Sequence, residues 1–185
     1  MNNLLFLDID GVLNCPTTKD KIKGFRGIED KKVELLKTLV DKYDFKIILS
    51  STWRMSWEKE DKSKQDAFSN YLDKKLLKYG LTIYDKTIDI RWNKRGSEIF
   101  DYLKDKDVDF WVVLDDEIFI DFYVEINNDY VCNHWINTGE YKKASPDDLS
   151  NIFFREIEKE EIGLTEDSIK ECERLYHEFQ KINRK

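Results

Sequence analysis

The chain has 185 residues and a net charge of −7, from 31 lysines and arginines against 38 aspartates and glutamates. That length suits one α/β domain with a substantial core and is short for two. The acidic balance argues against a protein that coats nucleic acid along an extended basic groove, but is compatible with one that handles a single nucleotide or the end of a strand.

In chain order, Leu4–Leu7, Phe45–Leu49 and Phe110–Leu114 are continuous apolar runs, the pattern of parallel strands buried on both faces. A further short strand is predicted within Leu81–Tyr84. Helical spacing aligns Val33, Leu36, Val40 and Tyr43, then Phe68, Leu72, Leu76 and Tyr79, then Ile99, Phe100 and Leu103. Strands alternating with helices predict an open, doubly wound, mostly parallel sheet between helical layers. Ile118 to Ile136 is rich in aromatic and β-branched residues and is predicted to hold one or two more strands. Ser145-Pro146-Asp147-Asp148 reads as a helix start, and Thr165-Glu166-Asp167 opens a last helix with Ile169, Cys172, Leu175, Phe179 and Ile182 on its apolar face.

No repeat or linker divides the chain, and a single domain is expected across residues 1–185. Cys15, Cys132 and Cys172 form neither a zinc pattern nor an even disulfide set. No basic leader precedes the first strand, and no apolar run approaches the roughly 20 residues that span a bilayer. The expectation is a reduced, soluble, cytoplasmic protein.

The chemistry gathers at strand ends. Asp8 and Asp10 follow the first apolar run, one residue apart, so both carboxylates leave the sheet on the same side, and Gly11 lets the chain turn away. Ser50, Ser51 and Thr52 follow the second run, and Asp115, Asp116 and Glu117 the third; Lys94 and Arg95 precede a helix. In open α/β sheets such ends converge on one ligand site. Each residue type has a part in phosphoryl transfer. Asp8, the backbone carbonyl of Asp10 and an acid of the Asp115-Asp116 pair offer the oxygen ligands that Mg²⁺ needs. Ser50 supplies a donor for phosphoryl oxygens, and a cation offsets their charge.

The order of these segments resembles the haloacid dehalogenase (HAD) superfamily, whose members are mostly phosphatases. The finer resemblance is to the small HAD domains associated with RNA-repair proteins. It is carried by Asp8–Asn14 (DIDGVLN), Leu49–Arg54, Arg95–Ile99, Leu114–Asp116 and Gly163–Thr165. The resemblance implies a HAD-like Rossmannoid three-layer fold with a minimal cap, here a flap at residues 14–30. The spacing before Gly163 is long, so residues 137–162 are expected to include a helical insertion. The family pattern places its cation directly before glycine, which favours Arg95, whereas lysine is the commoner residue in the superfamily, so Lys94 and Arg95 both stand.

The resemblance implies a Mg²⁺-dependent phosphomonoesterase in which Asp8 attacks phosphorus and Asp10 is the acid and base. The implied substrate is a nucleotide or a phosphorylated nucleic-acid end. A small-metabolite phosphatase and a non-catalytic phosphate-binding module are the alternatives. Ser51 and Arg54 are candidate substrate contacts, Arg54 either clamping a phosphate or pairing with a surface acid. Local positive charge is expected from Lys94, Arg95, Arg54 and Arg91. Trp53, Trp57 and Trp92 either stack a base or pack, packing being the commoner fate. His134 and His177 lack metal-like spacing and read as structural or surface residues; Cys15 has no part in this chemistry.

Overall fold

Strand β1 (Asn3–Leu7) is buried throughout and leads into a small hairpin, β2 (Lys21–Ile22) and β3 (Phe25–Arg26). Helix α1 (Asp30–Tyr43), β4 (Phe45–Leu49), helix α2 (Ala67–Leu77) and β5 (Ile83–Lys86) follow. Helix α3 (Arg95–Leu103), β6 (Phe110–Asp115) and β7 (Trp135–Asn137) continue the alternation. β8 (Gly139–Tyr141) pairs antiparallel with β9 (Lys159–Glu161), and α4 (Glu166–Asn183) ends the fold. The computed structural model describes residues 1–88, 94–141 and 159–183.

The central sheet has the order β5-β4-β1-β6-β7 and every pairing is parallel. Alternation along β1 sends Leu5 and Leu7 to one face and Leu4 and Phe6 to the other. The first face is covered by α1, α2 and α4 through Leu36, Leu72, Leu76, Ile169 and Cys172. The second is covered by α3 and the turns after β6, through Ile99, Tyr102, Phe122 and Val131. This is the three-layer, HAD-like Rossmannoid architecture the sequence predicts. Among the described residues no helix is long and apolar enough to cross a membrane.

Two expectations are corrected, one is met in part and one falls largely outside the described residues. The strand expected within Leu81–Tyr84 begins later, because the N–H of buried Leu81 donates to Leu76 O at 3.1 Å and holds that residue at the end of α2. Ile118 to Ile136 holds one of the one or two strands expected, β7 from Trp135, and otherwise short 3₁₀ turns at Ile120–Tyr123 and Val131–Asn133 that bury Phe122 and Val131. Residues 139–141 and 159–161, the described ends of the expected helical insertion, are strands; its interior and the Ser145 helix start lie outside the described residues. Ile182, expected on the apolar face of α4, is 72% exposed.

Candidate active site

The strand order sets the site. β1 lies at the centre, with β4 and β6 on either side, so the residues leaving these three strands meet at one edge, where the winding changes direction. Asp8 N donates to Leu114 O at 3.0 Å and Ser50 N to Leu7 O at 2.8 Å, so the ladder continues one step into the site. Carboxylate oxygens of Asp8, Asp115 and Asp116 lie within 4.8 Å of one another, and all three residues are buried.

Arg95, the first residue of α3, reaches into this cluster. Its Nη1 lies 3.3 Å from Asp8 Oδ1 and 3.3 Å from Asp115 Oδ2. The guanidinium thus bridges Asp8 and Asp115. Burial pushes the Asp8 carboxyl well above the usual carboxylate range; Asp115 adds to the rise and Arg95 opposes it. Burial likewise pushes Asp115 up to about 6, against the pull of Arg95. A hard divalent cation fits here, because the donors are all carboxylate oxygens and converge within 4.8 Å. Lys94 is exposed at the cap of α3, so of the two candidate cations Arg95 is the one in contact with the carboxylates.

The Asp8–Asn14 loop is shaped around these acids. Gly11 has φ +73°, and a Cβ there would sit 2.0 Å from Asp116 Oδ2. Glycine is therefore required twice, for the backbone and for the approach of the carboxylate. Leu13 N bonds back to Ile9 O at 2.9 Å, closing a turn, and Asn14 Oδ1 accepts from Gly11 N at 3.0 Å. Asn14 Nδ2 donates to Asp10 Oδ1 at 2.8 Å, while the Trp53 indole Nε1 donates to Asp10 Oδ2 at 2.9 Å. Asp10 itself is exposed, so its carboxylate is held by two donors at the mouth of the site. The Gly163-Leu164-Thr165 segment and Thr138 brace the loop from behind. Leu164 N donates to Val12 O at 2.8 Å and Thr138 Oγ1 to Gly11 O at 2.8 Å.

Ser50 and Ser51 follow β4. The Ser50 hydroxyl is buried and has no hydrogen-bond partner among the described residues. In the next register position, the Thr87 hydroxyl after β5 is in the same condition. Ser51 Oγ accepts from Trp53 N at 3.4 Å, and its hydroxyl exerts a downward pull on the Asp8 carboxyl.

Arg54 departs from the sequence reading. Its guanidinium is buried, with Nη2 2.8 Å from Glu98 Oε2 and Nη1 3.1 Å from Ser51 O. It ties the turn after β4 to α3 through a buried ion pair, not a surface one. Trp57 is fully buried, its Nε1 donating to Asp73 at 2.9 Å; Trp92 and Arg91 lie outside the described residues. His134 is stacked on Trp111 at 3.7 Å and paired with Asp129, and His177 is exposed. The sequence reading missed Asn14, Trp53 as a donor to Asp10, Glu98 and Thr138. Asn14, Trp53 and Glu98 carried a signal, as members of the Asp8–Asn14, Leu49–Arg54 and Arg95–Ile99 segments; Thr138 carried none.

Residues 4–142 match the model of a family described as the HAD domain in Swiss Army Knife RNA repair proteins. No curated protein and no solved structure matches the chain.

Proposed function

Because the chain belongs to the HAD domains of the Swiss Army Knife RNA repair proteins, we propose that it is a Mg²⁺-dependent phosphomonoesterase acting on a nucleotide or a phosphorylated nucleic-acid end. The observation that carries this reading is the meeting of Asp8, Asp115 and Asp116 within 4.8 Å, beside Arg95, at the edge of the sheet.

Asp8, the backbone carbonyl of Asp10 and the Asp115-Asp116 pair, with Asp116 the preferred direct ligand, would hold Mg²⁺. When bound, the ion offsets the charge of the carboxylates and of the phosphoryl oxygens. Asp8 attacks phosphorus; the bond from phosphorus to the leaving oxygen breaks as the bond to Asp8 forms, giving an aspartyl-phosphate. Asp10 gives its proton to the leaving oxygen. A water then attacks the same phosphorus and Asp10 takes the proton from that water, releasing phosphate and restoring the Asp8 carboxylate. The Ser50 hydroxyl donates to a phosphoryl oxygen, satisfying a group otherwise buried without a partner. Arg95 favours the ionised form of Asp8, against the burial that opposes it, and lies beside the developing charge.

Phosphate release from a panel of phosphorylated mononucleotides, sugar phosphates and 3′- and 5′-phosphorylated oligonucleotides, with Mg²⁺ and with chelator, tests the reading. Mg²⁺-dependent release, fastest from a nucleotide or oligonucleotide, is expected. Sugar phosphates outpacing every nucleotide would replace the nucleic-acid reading with a small-metabolite phosphatase. No release from any substrate would leave a phosphate-binding module.

A further inference from the structure

We propose that the β2–β3 hairpin is a strand-binding element that seats the nucleotides next to the scissile phosphate, so that a phosphorylated oligonucleotide end is preferred to a mononucleotide. This rests on the phosphomonoesterase reading and narrows its substrate.

The first observation is charge. Between residues 16 and 28 lie four cations, Lys19, Lys21, Lys23 and Arg26, against one acid, Asp20, in a chain whose net charge is −7. Lys19, Lys21 and Lys23 are exposed. Asp20 does not neutralise them, because its Oδ2 accepts from Lys75 at 2.7 Å and from Tyr71 at 2.8 Å, both on α2. Of the cations expected near the site from sequence, Arg54 pairs with Glu98 and Arg95 with Asp8 and Asp115. Together with exposed Lys94 at the start of α3, the hairpin therefore supplies exposed positive charge that a polyanion would meet beside an acidic protein.

The second observation is a row of rings. Phe25, at the hairpin tip, is 66% exposed and packs edge-on against Phe68 at 5.6 Å; Phe68 meets Trp53 edge-on at 5.6 Å. Trp53 in turn donates to Asp10, the residue assigned to protonate the leaving oxygen. The rings thus extend from the hairpin to the leaving-group side of the site, where a nucleic-acid end carries its sugar and base. A sugar phosphate has neither a base to stack nor a second phosphate to meet the lysines.

The third is rigidity. Lys23 and Gly24, with φ of 48° and 84°, form a two-residue left-handed turn of the kind that suits a hairpin. Gly27 N donates to Asp20 O at 2.8 Å and Ile28 N to Tyr71 Oη at 2.8 Å, fixing the hairpin base to α2. Little ordering is then needed on binding.

The test is the affinity of full-length Asp8→Asn protein for a fluorescent oligonucleotide of about six residues carrying a 3′- or 5′-phosphate, by anisotropy across a salt series. Phe25→Ala in that background should weaken binding roughly 5- to 150-fold, the range for one lost base stack. Lys21→Gln with Lys23→Gln should lower the slope of log affinity against log salt by about 1.4, two phosphate contacts on a single strand. A mononucleotide should compete poorly. Unchanged affinity and slope, or an acidic phosphopeptide competing as well as the oligonucleotide, would overturn the assignment. Because binding is read without turnover, the outcomes separate. Unaltered binding in the hairpin variants, alongside Mg²⁺-dependent hydrolysis by the native protein, removes the hairpin alone. Hairpin-dependent binding without hydrolysis keeps the hairpin and removes the phosphatase.

Discussion

The Trp53 indole Nε1 donates to Asp10 Oδ2 at 2.9 Å, and the same ring rests edge-on against Phe68. A residue on the turn after β4 therefore sets the orientation of an acid on the loop after β1. Trp53→Phe keeps the ring and removes the donor. A hydrogen bond to a charged group is worth about 1.5–3 kcal/mol, so kcat should fall roughly tenfold or more on alkyl phosphates. The loss should be smaller on aryl phosphates, which need less protonation. An equal loss on both would make Trp53 a packing residue only.

Asp10→Asn should lower kcat on the order of 10²–10⁴, the usual range for a lost general acid–base, with the same dependence on the leaving group. Measuring kcat across a series of leaving-group acidities checks this. A flat series would assign Asp10 to structure or to metal binding.

Gly11→Ala should disturb fold and site together. Forcing a left-handed backbone costs about 1–2 kcal/mol, or roughly 2–8 °C of Tm in a domain of this size. The added Cβ also falls on Asp116 Oδ2, so the response of Tm to Mg²⁺ should be lost. A variant with native Tm and a native Mg²⁺ response would contradict this account of the loop.

Metal binding should depend on pH. The folded, metal-free protein holds Asp8 and Asp115 protonated to higher pH than the unfolded chain does, Asp115 up to about 6. Through Asp115 the folded state binds more protons from about pH 4 to 6, which lowers stability as pH rises through that window, and Asp8 acts in the same direction. A cation replaces those protons. Mg²⁺ should therefore raise Tm at pH 7.5, and the gain should fade below about pH 6. Thermal melts with Mg²⁺ and with chelator across pH 5 to 8 provide the measurement. A gain independent of pH, or none at pH 7.5, would remove the carboxylate cluster as the metal site.

The strands that build the site were legible because β1, β4 and β6 are buried on both faces, and only continuous apolar runs survive there. The stretch after β6 yields the single strand β7 and otherwise turns, because aromatic and β-branched residues mark packing against a face as much as strand pairing. Phe122 and Val131 reach the core from turns. Asp8, Asp10, Ser50 and the Asp115-Asp116 pair were legible because each chemical group directly follows its own strand. Arg54–Glu98, Trp53–Asp10 and Thr138–Gly11 were not, since the partners lie 44, 43 and 127 residues apart and meet only after separate elements pack. The charge of the hairpin was present in the sequence, yet its bearing on the site needed the row from Phe25 to Trp53.

The central claim is that Asp8 carries the phosphoryl group. The most direct measurement is to quench the protein during turnover, reduce the acyl phosphate with borohydride, and map the modified residue by peptide mass spectrometry. The account expects the aspartate-derived product at position 8, dependent on substrate and Mg²⁺, and no product in a folded, inactive Asp8→Asn variant. Modification at another residue, or substantial phosphate release by folded Asp8→Asn protein, would contradict it.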